Sequence, residues 1–127
     1  MVRGLLDTNL LIADDVPPIE GELAISVVSL AELHFGVLVA REATQRALRL
    51  QRLAAVESRF TPLPVDGSVA RHYGQLAAHV RGSGRNPRAR AFDLVIAATA
   101  IAHGAALYTR NQADFAGVAD LVDVRPV

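Results

Sequence analysis

Short apolar runs that stop at an acid alternate along this chain with longer segments whose apolar residues recur every three or four positions. Residues 2–6 form the first such run, ending at Asp7, and read as a buried strand. Asp7, Thr8 and Asn9 are cap-type residues ahead of Leu10, Leu11 and Ile12, so a short helix begins there. Residues 14–21, with Pro17 and Pro18, form a loop, and residues 23–28 read as a second strand. Ser29 opens a helix over 29–43, with Leu30, Leu33, Val37 and Leu38 on its apolar side. The next helix places Ala47, Leu48, Leu50 and Leu53 inward and Arg41, Arg46, Arg49 and Arg52 outward.

Residues 60–65 read as a strand that two prolines keep short or at an edge. Asp66 caps a helix running to about Val80. The stretch 81–90, RGSGRNPRAR, is the one flexible segment expected. A very apolar helix follows over 91–103, with Gly104 as its C-terminal cap. Residues 106–108 form a strand, Thr109-Arg110-Asn111-Gln112 a turn into a short helix, and residues 121–124 a last strand. Strands alternating with helices predict an α/β fold, a parallel sheet covered on both faces, in a single domain over 1–127.

The four acids at the edges of these runs carry the candidate chemistry: Asp7, Glu32, Asp93 and Asp114. In an open parallel sheet, ligands bind beyond the carboxyl ends of the strands. Asp7 stands at such an end, Glu32 and Asp114 follow shortly after strands, and Asp93 lies in the first turn of the apolar helix. Each also has a structural reading. Glu32 completes a Ser29-x-x-Glu32 capping box, Asp114 stands three after Asn111, and Asp7 and Asp93 favour helix N-termini. The two roles are compatible, because a carboxylate fixed at a helix start is a well-held ligand. Four carboxylates converging on one rim would hold a hard divalent cation such as Mg2+ or Mn2+. Two such ions about 3.5–4 Å apart hydrolyse phosphodiesters with metal-activated water. Thr8, Asn9, Thr109 and Asn111 are the hydroxyls and amides placed to orient those ligands.

Composition narrows the alternatives. With 13 basic and 13 acidic residues the net charge is zero, so any nucleic-acid contact must come from a local patch. Arg81, Arg85, Arg88 and Arg90, just ahead of Asp93, are that patch. No cysteine is present, which excludes disulfides, thiolate zinc sites and cysteine nucleophiles. All the basic residues are arginine, so a Walker-A lysine, the late lysine of phosphoacceptor receivers and that of haloacid-dehalogenase phosphatases are missing. His34, His72, His79 and His103 lack any accompanying Cys or HExxH pattern, which argues against a zinc site. No run approaches the ~20 apolar residues of a membrane span, and the N-terminus lacks a cleavage pattern. A soluble cytoplasmic protein without a membrane partner is expected.

The order LLDTN, SVVSLAELHFG and DLVIAATAIAHGAALYTRNQADF resembles the PIN-domain nucleases, and among them the VapC toxins of type II toxin–antitoxin pairs. The resemblance spans nearly the whole chain, and TRN-x-x-DF after the apolar helix is its specific part. It implies a three-layer α/β/α sandwich and an Mg2+- or Mn2+-dependent endoribonuclease with RNA as substrate. A homodimer and a cognate VapB-type antitoxin are also implied. By motif position Asp7, Glu32, Asp93 and Asp114 match the family's acidic quartet, and Thr8, Asn9, Thr109 and Asn111 its polar neighbours. The 29–43 helix, apolar on more than one side through Leu30, Leu33, Phe35, Val37, Leu38 and Val39, is the expected antitoxin surface. Two other readings fit the residues: a PIN-type RNA-processing nuclease without antitoxin, and a non-catalytic α/β binding module.

Overall fold

The computed structural model describes residues 3–127, so Val2, assigned above to the first strand, lies outside the described residues. The elements run β1 (Arg3–Leu6), α1 (Thr8–Ile12), β2 (Glu22–Ala24), α2 (Val27–Leu38), α3 (Ala43–Arg59), α4 (Gly67–Gly82), α5 (Ala91–Ala102), β3 (Ala106–Thr109) and β4 (Val124–Pro126). Two 3-10 segments, Pro87–Arg90 and Gln112–Val118, precede α5 and β4. The four strands form one parallel sheet in the order β2-β1-β3-β4.

Alternation along the strands divides the core. Leu5 and Leu107 face a cluster built with Val69, Leu76 and Val80 of α4 and Leu94 and Ile96 of α5. Leu6 and Tyr108 face the opposite cluster, with Leu10, Leu11, Leu33, Val37, Leu53 and Val56 of α1, α2 and α3. Successive strand residues pointing to opposite faces therefore produce the α/β/α layering. From β1 the chain crosses to β2 on one side, and later returns to β3 on the other. The seam between β1 and β3 is thus the topological switch point, where open α/β sheets place their ligands. The backbone amide of Asp7 donates to the carbonyl of Tyr108 at 2.9 Å and pins the two strand ends together there.

Gly4 is required on this seam. A Cβ at that position would stand 2.7 Å from Cε2 of Tyr108 and 3.0 Å from Cδ2 of Leu23. A ring held in the sheet's second cluster has little room to retreat. Gly4→Ala is expected to cost about 1–3 kcal/mol by overpacking, read as a lower midpoint in urea unfolding.

Several expectations need correction. The second strand does not reach residue 28. Ser26, itself still extended, is the N-cap: its Oγ accepts from the amide of Val28 at 3.0 Å, so α2 starts at Val27. Ser29 and Glu32 consequently lie inside the helix and form no capping box. The helix also ends at Leu38, not at 43. Leu38 is 76% exposed, not packed on the sheet. Residues 60–65 form only a single parallel bridge, Ser26 with Leu63. Pro62 and Pro64 flank Leu63 and cannot donate, which stops the ladder at one residue. On α3 Ala47, Leu48 and Leu50 are exposed, and the buried residues are Leu53 and Val56. Arg49 reaches inward, donating to the carbonyl of Gly36 at 2.6 Å. The last strand is 124–126 in place of 121–124; Val122 is buried but outside the ladder. The stretch 81–90 is ordered by the end of α4 and the Pro87–Arg90 turn, which Asn86 caps through Arg88 N at 3.1 Å. Gly104 does follow the apolar helix at φ +61, as a C-terminal cap requires.

Candidate active site

Asp7 directly follows β1 and serves as N-cap of α1, so one residue joins strand, helix and site. It is 5% exposed. Its Oδ1 accepts from the amide of Thr8 at 2.9 Å. Its Oδ2 accepts from the Thr109 hydroxyl at 2.8 Å and from Asn9 Nδ2 at 3.3 Å. Thr109, the last residue of β3, is fully buried and its hydroxyl is saturated. It donates to Asp7 and accepts from Asn9 Nδ2 at 3.1 Å and from the amide of Asn111 at 3.0 Å. Asn9 Oδ1 in turn accepts from the amide of Arg110 at 3.3 Å. The strand ends of the switch point are thereby tied through side chains as well as backbone.

Glu32 projects from the second turn of α2, where its Oε1 accepts from Thr8 Oγ1 at 2.7 Å. Since Thr8 spends its proton on Glu32, the buried Ser29 hydroxyl, 2.9 Å from Thr8 Oγ1, is the donor to Thr8. Ser29, read above only as a cap, is therefore a member of the network. Its place three residues before Glu32, on the same helix face, is the signal that pointed to it. Asp93 lies in the first turn of α5. Asp114 opens the Gln112–Val118 segment, and its Oδ2 accepts from Asn111 Nδ2 at 2.9 Å; Asn111 makes no cap with its side chain.

The arginines divide. Arg90 Nη1 donates to Asp114 Oδ1 at 2.7 Å and lies 3.5 Å from Asp93 Oδ2, so it is a counter-ion to two of the acids. Arg81, Arg85 and Arg88 are exposed, and among the described residues their side chains form no ion pair. A shallow groove lined by Glu32, Arg88, Phe92 and Asp93 runs beside the acids. His34 and His79 face Glu57 and Asp120 at 3.6 Å, and His103 caps α5.

A family model for the PIN domain matches residues 5–121, which includes all four acids. The chain belongs to the PIN-domain family. Ribonuclease VapC5 of Mycobacterium tuberculosis is 40% identical over 121 residues, spanning 91% of this chain and 87% of that protein. Ribonuclease VapC4 of the same organism is 35% identical over 127 residues, spanning 94% and 93%. The crystal structure of VapBC-5, a toxin–antitoxin system member from Mycobacterium tuberculosis, matches at TM-score 0.85 and 38% identity, covering 100% of this chain and 98% of that one.

The acids of this PIN domain feel one another. The Asp93 carboxyl is pushed up to about 6, first by burial and then by the charges of Asp114 and Asp7, with Glu32 adding and Arg90 opposing. Burial also raises Asp7, against the hydrogen bonds from Thr109 and Thr8 and together with the charge of Asp114. Four carboxylates thus share one field, although they come from four separate elements. Among the described residues no three His, Asp or Glu side chains are gathered closely enough to enclose an ion as they stand. Asp93 and Asp114 share the Arg90 guanidinium instead. The donor set is all oxygen, anionic and mutually repelling, which is the chemistry of a site for a hard divalent cation. No helix among the described residues is long and apolar enough to cross a membrane.

Proposed function

We propose that this chain, a single PIN domain over 1–127, is the toxin of a type II toxin–antitoxin pair, a cytoplasmic Mg2+- or Mn2+-dependent endoribonuclease. The observation that carries the reading is the shared field of Asp7, Glu32, Asp93 and Asp114 at the switch point of a PIN sheet. Relatives that are VapC ribonucleases, and a VapBC complex matching over the full chain, support it.

Asp7, Asp93, Asp114 and Glu32 would hold the cation. When bound there, it supplies Lewis acidity toward the phosphodiester oxygens and acidifies the attacking water. The chain's own groups prepare that site. Thr109 and the amide of Thr8 fix Asp7, Ser29 and Thr8 fix Glu32, and Asn111 fixes Asp114. Ser29 is fully buried and bonded, so it is no nucleophile. With its carboxyl near 6, Asp93 retains a proton in part of the molecules near neutral pH when no cation balances the site. Arg81, Arg85 and Arg88 hold the RNA backbone ahead of the acids, and Arg90 reaches the same edge from its place on Asp114.

Purified protein is expected to cut RNA with Mn2+ and to stop on chelation, with Asp7→Asn inactive but folded. Cleavage that persists in chelator, or equal activity of Asp7→Asn, sinks the reading.

The proposed VapB-type antitoxin docks where α2 leaves apolar surface, at Phe35 (67% exposed), Leu38 and Val39, on a toxin that assembles as a homodimer. Because Leu38 is exposed, Leu38→Asp is expected to keep the wild-type melting temperature within about 2 °C and to weaken a co-purified toxin–antitoxin complex more than it weakens cleavage. Unfolding of the isolated variant would show that Leu38 is structural instead.

A further inference from the structure

Between the end of α4, the Pro87–Arg90 turn and the Gln112–Val118 segment lies a cavity of about 390 Å3. It stands outside the hydrogen-bonded network round Asp7 but shares two residues with the acidic site, Arg90 and Asp114. Its inner wall is apolar: Val80, Leu94 and Val118 are all buried. Its rim is made of donors. Arg85 forms no ion pair among the described residues. The side-chain oxygen of Asn86 is taken by the amide of Arg88 at 3.1 Å, which leaves the NH2 group to donate. Apart from Asp114, no carboxylate among the described residues lines the space.

Gly117 makes the room. It has no positive φ, so its backbone does not need glycine. A Cβ there would lie 3.5 Å from Arg85 Nη1 and 3.8 Å from Val80 Cγ2, ordinary contact, so any longer side chain would enter the cavity. The size falls within the range of small-ligand sites. The ligand that fits is flat and apolar on its faces, carries acceptors on its edge, and is joined to an anion that reaches the Arg90 guanidinium at the boundary with the acidic site. An unstacked nucleobase of a single-stranded RNA has those properties, and such bases are how single-stranded RNA is read. An arginine beside the opening offers both a stacking plane and edge donors.

We infer that this cavity is a base pocket: it takes one nucleobase adjoining the scissile phosphate and sets the sequence at which the chain cuts. The inference rests on the nuclease reading. Gly117→Leu fills the pocket without backbone strain, and Arg85→Ala removes its free donor.

The test is to sequence the 5′ ends produced from a randomised RNA pool with Mn2+, comparing wild type with both variants, each checked by thermal melting. One position next to the cut is expected to show a base preference in the wild type. That preference should fall about tenfold or more in either variant, the scale of losing edge contacts in a fitted pocket; Gly117→Leu should go on cutting, while Arg85→Ala should also lose part of its RNA affinity. If Gly117→Leu fails to fold, Gly117→Ala and Arg85→Ala carry the comparison. Folded variants that cut with the wild-type profile overturn the pocket and leave the nuclease standing. So does an unchanged profile with a weakened toxin–antitoxin complex, which would assign the cavity to the partner. A wild type that cuts no RNA in the pool overturns the nuclease reading and the pocket with it.

Discussion

Asp93→Asn is expected to make the metal-free protein more stable at neutral pH and to reduce RNA cleavage at least about a hundredfold, beyond what loss of a supporting partner costs a metal site. The stability gain follows from linkage. In the folded protein burial and the neighbouring acids push the Asp93 carboxyl up to about 6, from 3.8. As pH rises through that interval the unfolded chain releases its proton first, so the fold loses stability across the window and does not regain it above. A shift of two units corresponds to about 3 kcal/mol. Asp93 is 25% exposed and shares its protons with coupled acids, so a gain of about 1–2 kcal/mol is the expected scale. That is roughly 3–8 °C in melting temperature for a chain of this size. The difference between variant and wild type should be near zero at pH 3 and fully developed by pH 7.5. Added Mn2+ should raise the melting temperature of the wild type by mass action and leave Asp93→Asn nearly unmoved. A variant that melts lower at pH 7.5 would mean that the carboxylate chiefly stabilises the start of α5 through the helix dipole.

Thr109→Val keeps the shape of a fully buried side chain and deletes the hydroxyl on which the seam depends. Three partners lose it at once: Asp7 Oδ2, Asn9 Nδ2 and the amide of Asn111. Valine cannot satisfy any of them, and Asp7 at 5% exposure has little access to solvent in exchange. The expected cost is about 1–3 kcal/mol, the penalty for stranding buried polar groups. Cleavage should also fall about 10–100-fold, because Asp7 loses the bond that orients it. Thr109→Ser retains the hydroxyl and gives up only a methyl group, so it should recover most of the cleavage while remaining somewhat less stable. Urea unfolding and initial cleavage rates at fixed Mn2+ separate the two effects. If valine cuts RNA as the wild type does and serine does not, packing at this position governs the site and the hydrogen bonds do not.

Local grammar was legible from the residues. Asp66 and Gly104 bracket their helices as capping chemistry requires, and the alternation of short apolar runs with helical segments gave the layered parallel sheet. The acids showed themselves because a carboxylate at the edge of a buried run is costly without a partner. Errors arose where the deciding contact lay far away in the chain. Residues 23–28 read as one strand because Val27 and Val28 are β-branched, yet Ser26 starts α2 and Leu63 takes the bridge. Leu48 and Leu50 looked like core together with Leu53, but α3 buries Leu53 and Val56 and leaves Leu48 and Leu50 exposed. Arg90 belonged to a basic stretch in sequence and to Asp93 and Asp114 in space. Periodicity and capping act within a few residues, so the chain alone shows where helices lie approximately and which residues are apolar or acidic. Convergence of residues 7, 32, 93 and 114 depends on strand order. Only the folded sheet, by placing β1 beside β3 and α2 and α5 at the same rim, turns four separate costs into one charged site.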